Sequence, residues 1–391
     1  MTDAPRDRVC ALRVTVAALV LAFGRPIIAQ TEPFEAIAAQ AAAARETGEL
    51  ERAVDMYRRA LSLKPNWPEG LWYLGTTFFE LQRYAESRAH LGRLLTMQPE
   101  HAGALGLSGL CSFHLQQYED ALRDLVRARA LGISQTPALA VPVRYHLAIL
   151  LTRFSDFEVG YAVLSEFAVE NNESAQVIAA FGLNLLRKPL LPSEVPAEDQ
   201  PLVQLAGRAA FAMAARRSAE ARRILDELAA TFPRTPNVHY ARGVFRLTDA
   251  PEQAVEDLKR ELAITPSHLL ARIQLVFELL KQGKVEEARP FAEDAVRLDT
   301  LHVASYLARG QVRFESNDLD GAITDFQTAT RLAPESAQAH FVLSRAYARA
   351  GRIEDAERER AEFMRLEQLT KGKPTDVRSV IGAPASGESP Q

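Results

Sequence analysis

The sequence contains few residues of the kinds that cross-link a chain or bind a metal. It has two cysteines in 391 residues, which excludes a disulfide scaffold and the usual zinc site built from cysteine. Aromatic residues make up only 7%, and neither sign of charge dominates, since 46 Lys and Arg stand against 50 Asp and Glu. This balance argues against a protein whose main partner is nucleic acid, which needs a basic surface. A chain of this length predicts either several domains or one long repeat array.

Long hydrophobic runs are also scarce, and the longest lies near the N-terminus. Arg6, Arg8 and Arg13 precede the apolar residues 14–23, and Ala29 is a small residue after which a signal peptidase can cleave. This order is typical of a secretory signal peptide, and the run is shorter than the roughly 20 apolar residues that span a bilayer. The sequence therefore predicts a signal peptide over 1–29, an exported (periplasmic or secreted) protein, and no integral membrane segment in the mature chain. An uncleaved anchor is the alternative.

Internal repetition, by contrast, is abundant. Three repeat positions, two of them small residues and one a proline, recur with a step of 34 residues, which is one residue shorter in the sixth repeat and is interrupted once in the middle of the chain. The first is a small residue at Ala53, Ser87, Ala121, Ala254, Ala288, Ala322 and Ala356. The second is a small residue at Gly75, Gly109, Gly243, Gly310 and Ser344, and the third is proline at Pro65, Pro99, Pro233, Pro266 and Pro334. Three residue types that keep one period indicate a repeat architecture.

Residues 303–336 show why these residue types recur. A helical pattern over 304–315 is followed by a turn at 316–318 and by an amphipathic helix over 319–332. Gly310 and Ala322 are predicted to be small because the two antiparallel helices cross there. Pro334 ends the second helix at a position where its missing N–H costs little. Each repeat is therefore predicted to be a pair of helices.

This pattern resembles the tetratricopeptide repeat (TPR) family, in which each 34-residue repeat is a helix–turn–helix. Residues 71–78 match the first-helix signature, and residues 53–60 followed by Pro65 match the second. The resemblance implies an all-α fold, an α-solenoid of stacked helix–turn–helix repeats wound into a right-handed superhelix. Nine repeats are assigned, at 34–67, 68–101, 102–135, about 141–174, 202–235, 236–268, 269–302, 303–336 and 337–368, giving 18 repeat helices.

The repetition is interrupted once. Residues 175–201 contain an extra helix near 176–187 and a segment with four prolines over 188–201. They separate an N-terminal array at 34–174 from a C-terminal array at 202–368. The proline segment is either a joint between the arrays or a packed insertion, and its apolar residues Leu190, Leu191 and Val195 favour the insertion. Residues 369–391 are rich in Gly, Pro, Ser and charge and are predicted to be a disordered tail.

No constellation of residues points to catalysis. None of the eight histidines has the spacing of a metal-binding pair with another histidine or with cysteine. Glycines at 103, 106 and 109 lack the Lys-Ser/Thr and the preceding strand of a phosphate-binding loop. Cys111 falls within a first helix and is predicted to be a small buried residue. The sequence therefore predicts no enzyme activity, no metal and no cofactor.

The predicted function is a non-catalytic scaffold that binds a protein or peptide on the concave face of the solenoid, because repeat stacks form extended binding surfaces. An enzyme or dedicated enzyme subunit, with a site between the arrays, is the alternative. Some repeats of this family hold a C-terminal carboxylate with Lys and Asn, but the matching positions here carry no cation. An acidic chaperone tail is therefore expected to bind poorly. Those positions are Ala38, Ala42, Trp72, Thr76, Gly106 and Leu110.

The resemblance also places the binding surface, because first helices of the family line the concave face. In the N-terminal array the inward positions form an aromatic and apolar strip: Trp72, Tyr73, Phe79, Leu107, Phe113 and Tyr145. Such side chains supply large contact area at modest entropy cost and predict an apolar or amphipathic partner segment. The alternative is that the rings pack between adjacent first helices. The C-terminal array is polar or charged at Gln311, Glu315, Arg345 and Arg349.

Overall fold

The computed structural model describes residues 33–133 and 136–371. Within those ranges the chain forms 19 α-helices, two short 3₁₀ turns and no β-strand. This confirms the all-α repeat fold, with 18 repeat helices and one extra helix. The helices are α1 (Pro33–Glu46), α2 (Leu50–Leu63), α3 (Pro68–Glu80), α4 (Tyr84–Met97), α5 (Ala102–His114), α6 (Tyr118–Leu131), α7 (Pro137–Arg153), α8 (Phe157–Val169), α9 (Ala175–Leu185), α10 (Gln200–Ala214), α11 (Ser218–Thr231), α12 (Val238–Arg246), α13 (Pro251–Ile264), α14 (Leu269–Lys281), α15 (Val285–Leu298), α16 (Val303–Glu315), α17 (Leu319–Leu332), α18 (Ala337–Arg349) and α19 (Ile353–Lys371).

The described residues divide into two compact units, an N-terminal unit that ends at Leu164 and a C-terminal unit that begins at Ser165, and the division falls within α8. In the N-terminal unit α1 packs on α2, α3 on α4 and α5 on α6, and each second helix also contacts the next first helix. The C-terminal unit repeats this arrangement from α10 to α19. Each repeat therefore buries its apolar stripe partly within itself and partly against the next repeat.

The small residues lie where the paired helices cross, as the sequence predicts. A β-carbon added at Gly109 would come within 2.8 Å of the Leu125 side chain, and one added at Gly310 would come within 2.5 Å of the Phe326 ring. The partner positions Ala121 and Ala322 are fully buried. A larger residue at either glycine would force the helices apart. The 34-residue period of small residues therefore marks the positions where the paired helices cross.

The turns inside the repeats share one backbone feature. A residue in the left-handed region follows the first helix at positions 34 residues apart: Gly48, Gln82 and Gln116 in one unit, and Gly283, Asn317 and Gly351 in the other. At Gln82 the turn is closed by hydrogen bonds from the backbone N–H of Gln82 to the Phe79 carbonyl and from that of Arg83 to the Phe78 carbonyl. Glycine adopts this conformation without strain, whereas glutamine is held there by those bonds.

Three helix boundaries differ from the sequence prediction. Helix α7 begins at Pro137, before the expected start at 141, because a proline is well suited to the first turn of a helix. Helix α10 begins at Gln200, with Pro201 in its first turn. Helix α19 continues to Lys371, past the expected end at 368, because no glycine or proline interrupts the sequence before Gly372.

The extra helix and the proline segment belong to the core of the C-terminal unit. Helices α9 and α10 approach so closely that a β-carbon at Gly182 would meet the backbone of Val203, and one at Gly207 would meet that of Ile178. Leu191 is buried, and Leu190 and Val195 pack against the core formed by α9, α10 and α11. The proline segment is thus a packed insertion within one unit and not a joint between two arrays.

The predicted signal peptide at 1–29 lies outside the described residues, and so does the predicted tail at 369–391 from residue 372 onward. Residues 369–371 of that tail belong to α19, so this part of the prediction is wrong. Among the helices of 33–133 and 136–371, none is long and apolar enough to cross a membrane.

Candidate functional site

The predicted aromatic strip lies on three first helices of the N-terminal unit. Trp72, Tyr73 and Phe79 lie on α3, Phe113 lies on α5 and Tyr145 lies on α7. All five side chains are half-buried. The repeat spacing therefore brings the five rings onto successive helices, where each keeps part of its surface accessible.

Leu107 does not lie on that surface. It is 2% exposed and belongs to the core, together with its neighbours throughout residues 103–112 of α5. The three glycines in this stretch, at 103, 106 and 109, have no side chain, so the surrounding helices can approach closely. Helix α5 is consequently enclosed on all sides, and Leu107 fills its interior instead of facing a partner.

The rings of the strip also contact neighbouring aromatic rings outside the strip. Phe113 meets His146 edge-to-face at a centroid distance of 4.6 Å, and Tyr145 lies 5.4 Å from the same imidazole. Phe79 lies 5.5 Å from Tyr84. Burial raises the pKa of Tyr145 to about 12, so its ring is in a poorly hydrated environment. The strip therefore packs between first helices and leaves only part of its area for a partner.

The strip is joined at its edges by histidine and arginine. Trp72 lies 5.2 Å from the His101 ring, and the guanidinium of Arg45 lies 4.3 Å above the ring of Tyr73. A cation over an aromatic face is attracted to the ring, so Arg45 fixes Tyr73 in place. The positions expected for a carboxylate clamp carry no Lys or Arg, and two of them, Gly106 and Leu110, are buried.

The C-terminal unit contains an open cleft on its first helices. Side chains of α14, α16 and α18 enclose about 470 Å³, and the lining residues are Gln274, Phe277, Leu280, Lys281, Gln311, Glu315 and Gln338. Phe277 and Leu280 are half-buried and rest on the apolar cores beneath. Three glutamine amides surround this apolar floor. We call this site the α14–α16–α18 cleft.

Polar groups in the cleft are held by local hydrogen bonds. The Gln311 amide Nε2 donates to Glu315 Oε1 at 2.8 Å, and Lys281 Nζ lies 3.1 Å from Glu278 Oε2. Phe277 and Gln311 are 34 residues apart, as are Lys281 and Glu315. The repeat step alone thus aligns these four side chains. The sequence shows that Gln311 and Glu315 are polar, but only the structure shows that they line one cleft with Phe277 and Leu280.

Buried ion pairs hold the helices of the C-terminal unit together. Asp257 is 1% exposed and lies 2.6 Å from Arg242 Nη2 and 2.8 Å from Arg246 Nη1. Burial opposes its ionisation, but His239, whose Nδ1 lies 3.6 Å away, together with the hydrogen bonds of Arg242 and the charges of Arg242 and Arg246, outweighs this effect and holds the pKa of Asp257 below its usual value. Arg246 also binds Asp226 of the preceding repeat at 2.5 Å.

The same arrangement recurs two repeats later. Asp325 is equally buried and lies 2.7 Å from Arg309 Nη2 and 3.0 Å from Arg313 Nη1, while Glu293 of the preceding repeat lies 3.1 Å from Arg309 Nη1. Each buried carboxylate is therefore neutralised by two arginines. A carboxylate held in this way is fully engaged in the structure and is poorly suited to proton transfer.

The single cysteine of the described residues is also structural. The Cys111 thiol is fully buried and donates to Ser87 Oγ at 3.2 Å. Burial raises the pKa of Cys111 to about 11, so the thiolate needed for nucleophilic chemistry does not form at neutral pH. Within 33–133 and 136–371, no group of three His, Cys, Asp or Glu side chains is arranged to hold a metal ion.

Comparison with solved structures finds several repeat proteins of low identity. MamA of Desulfovibrio magneticus RS-1, from residue 41 to its end, is 22% identical over 44% of this chain and 97% of that one, with a TM-score of 0.41. YrrB, a TPR protein with an unusual peptide-binding site, is 17% identical over 41% and 83%, with a TM-score of 0.36. The APC/C hetero-tetramer Cut9–Hcn1 is 12% identical over 89% of both chains, with a TM-score of 0.39. No curated protein sequence matches this chain.

Sequence profiles of the tetratricopeptide repeat match residues 34–66, 74–132, 275–327 and 307–359. These matches lie in both compact units and coincide with the helix pairs and their small-residue crossings. Repeats of this kind form extended surfaces for protein interactions, and the matches support a protein-interaction scaffold here. The chain belongs to the tetratricopeptide repeat family.

Proposed function

We propose that the protein is an exported, non-catalytic scaffold that binds an extended segment of a partner protein, with the α14–α16–α18 cleft as its main binding site. The observation that carries this proposal is the cleft itself. Its volume of about 470 Å³ is within the range of sites that bind small ligands and single side chains, and it is lined by three successive first helices.

The chemistry of the cleft indicates the kind of segment that fits. Phe277 and Leu280 supply an apolar floor for one apolar side chain. Each glutamine amide can both donate and accept, so Gln274, Gln311 and Gln338 match the N–H and C=O groups of an extended backbone. We expect an extended segment with one apolar anchor and little net charge.

The aromatic strip is a second proposed contact for the same partner. Trp72, Phe79, Phe113 and Tyr145 keep part of their rings accessible, and amphipathic rings often dominate binding energy. Their packing against His101, Tyr84 and His146 means that their removal is expected to reduce stability as well as binding.

Export is proposed from the N-terminal pattern of residues 1–29. Its test is mass spectrometry of the protein recovered from cells that carry a secretion system. A mature N-terminus at Gln30 supports the proposal, and an intact N-terminus on protein found only inside the cell contradicts it.

The enzyme alternative has no supporting observation among the described residues of the proline segment. Lys188 Nζ is bound to Asp199 at 2.7 Å, and Glu194 Oε2 accepts a hydrogen bond from the Leu191 N–H at 2.8 Å. These charged groups hold the segment in its packed conformation.

The binding proposal is tested by selecting peptides from a displayed library on the purified full chain and titrating the best one by calorimetry. The Gln311→Ala/Gln338→Ala variant should weaken binding by about tenfold or more, because each lost hydrogen bond contributes about 1 kcal/mol. The matched control is Gln253→Ala, an exposed glutamine on second helix α13 that does not line the cleft. Equal affinity of all three proteins would show that the cleft is not the site.

A further inference from the structure

A second cleft in the C-terminal unit contains a buried arginine with unsatisfied nitrogen atoms. Arg272 on α14 is 7% exposed, and its Nε and Nη1 find no hydrogen-bond partner among the described residues. Its Nη2 lies 3.8 Å from Asp294 Oδ2 on α15, which is beyond hydrogen-bond distance. A buried guanidinium with two unsatisfied nitrogens and one carboxylate beyond hydrogen-bond distance is costly, because the loss of its contacts with water is only partly compensated.

The equivalent position in other repeats is satisfied within the chain. In three repeats a polar side chain at this position bonds to the backbone carbonyl of the residue six places earlier. These bonds are His239 Nε2 to Pro233 O at 3.0 Å, Tyr306 OH to Thr300 O at 3.1 Å, and His340 Nε2 to Pro334 O at 3.0 Å. In two further repeats the position holds leucine, Leu71 and Leu105, which needs no partner. Arg272 is therefore an exception within the repeat pattern.

The surroundings of Arg272 carry an excess of positive charge. The cleft has a volume of about 230 Å³ and is lined by Arg272, Asp294, Arg297 and Leu298. Asp294 Oδ1 is already bonded by Arg297 Nη2, so one carboxylate is shared by two guanidinium groups. Burial and the charge of Arg297 both lower the pKa of Arg272, as expected where two cationic groups share one carboxylate.

We propose that this cleft binds one oxyanion, a phosphate or a carboxylate, between Arg272 and Arg297. The planar guanidinium group matches both kinds of oxyanion through paired hydrogen bonds. A bound anion would offset the charge excess and engage nitrogens of Arg272 that the chain itself leaves unpaired. This site uses α14 and α15 positions that do not line the α14–α16–α18 cleft, so it does not depend on the proposed function.

The test measures anion binding by the purified full chain through the rise in melting temperature at constant ionic strength, with chloride as the reference. One series uses inorganic phosphate and the other uses N-acetylglutamic acid amide, so the two sources of oxyanion are distinguished. A saturable rise with either probe supports the site and identifies its ligand class. Absence of any rise above chloride with both probes overturns the proposal.

Variants assign the effect to the site. Arg272→Leu, which introduces the residue found at this position in two other repeats, should abolish the response while the chain stays folded. Asp294→Asn should strengthen anion binding, because it frees both guanidinium groups from the competing carboxylate, and it tests the site even if Arg272→Leu fails to fold.

Arg297→Gln should weaken binding by about tenfold or more, because it removes a charged hydrogen-bond donor. Its matched control is Arg331→Gln, which changes the exposed arginine at the same position of the next repeat and should respond as the unmodified chain does. An unchanged response in both Arg272→Leu and Arg297→Gln would overturn the proposal.

Discussion

The N-terminal and C-terminal units place different side chains at the same repeat position, where paired helices cross. In the third repeat Ser108 donates to Asp124 at 2.9 Å, a single bond from a neutral hydroxyl. In the eighth repeat Arg309 occupies that position and binds Asp325 through two nitrogens, at 3.0 and 2.7 Å. The sixth repeat uses Arg242 and Asp257 in the same way.

The two units also differ in what links one repeat to the next. First helices of the N-terminal unit meet through rings, as between Phe113 and His146. Ion pairs join adjacent repeats in both units, as between Arg88 and Asp120 in the N-terminal unit, but in the C-terminal unit an arginine of a first helix takes part, since Arg309 binds Glu293 of the preceding repeat. The comparison shows that the fold requires a small residue at each crossing but tolerates either rings or charges beside it. The units should therefore respond differently to mutation and to acid.

The largest expected effect is the loss of a buried carboxylate from the ionic unit. Asp257→Asn leaves Arg242 and Arg246 without a buried counter-charge and should reduce the free energy of unfolding by about 3–5 kcal/mol. The matched change Asp124→Asn still accepts a bond from Ser108 and should cost about 1 kcal/mol. Urea unfolding followed by circular dichroism measures both. Equal losses would contradict the contrast between the units.

Within the N-terminal unit, two adjacent rings separate core packing from surface packing. Phe78 is fully buried, whereas Phe79 is half-buried against Tyr84. Phe78→Ala should reduce the free energy of unfolding by about 3–5 kcal/mol. Phe79→Ala should reduce it by roughly half as much, because less of the Phe79 side chain is buried on folding. Both tryptophans, Trp67 and Trp72, lie in this unit, so their fluorescence during urea unfolding reports on it directly. A Phe79→Ala loss as large as that of Phe78→Ala would make the strip part of the core.

Acid should destabilise the N-terminal unit through His146. Burial lowers the pKa of His146 to about 4, so between pH 6.5 and 4 the unfolded chain binds a proton that the folded chain does not. The stability present above pH 6.5 therefore falls by about 3 kcal/mol as the pH drops through this window. His146→Gln should flatten that dependence. Urea titrations followed by tryptophan fluorescence at pH 8, 6 and 4.5 measure this pH dependence. At pH 8 the imidazole is neutral in both states, so the difference between the two proteins there gives the packing cost of the substitution. An unchanged slope would contradict the assignment.

The smallest expected effect concerns the small residues at the helix crossings, which both units share. Gly109→Ala and Gly310→Ala should each cost about 1–3 kcal/mol, because the added methyl group meets Leu125 or Phe326 at the crossing. Gly92 on α4 has no atom within 4 Å of an added β-carbon, so Gly92→Ala should gain about 0.5–1 kcal/mol from helix propensity. Thermal unfolding of the three variants gives the comparison. A clear difference between Gly109→Ala and Gly310→Ala would mean that the crossing is not common to both units.

The sequence was sufficient to predict the helix pairs because the period of small residues and the apolar stripes are local patterns. Helix α17 has the predicted bounds, 319–332, since Asp318 caps its first turn and its apolar face runs unbroken to Leu332. The fourth repeat was placed less well, because Gly160 replaces alanine there and Pro137 allows an earlier helix start.

The sites were harder to predict than the fold. Five of the six residues predicted for the aromatic strip are half-buried, but Leu107 lies in the core because three glycines let the neighbouring helices enclose α5. The cleft depends on how Phe277, Gln311 and Gln338 meet across three repeats. Arg272 could not be recognised, since the same position holds leucine, histidine or tyrosine elsewhere, and only the structure shows that its nitrogens lack partners.

Hydrogen exchange of the full chain with and without its selected peptide tests the central claim, that the protein is a scaffold whose main binding site is the α14–α16–α18 cleft. Mass spectrometry of peptic fragments locates the amides that become protected. We expect slower exchange in α14, α16 and α18, with no equal change in second helices α13 and α17. Protection confined to α3, α5 and α7 would contradict it and would place the binding site on the aromatic strip instead.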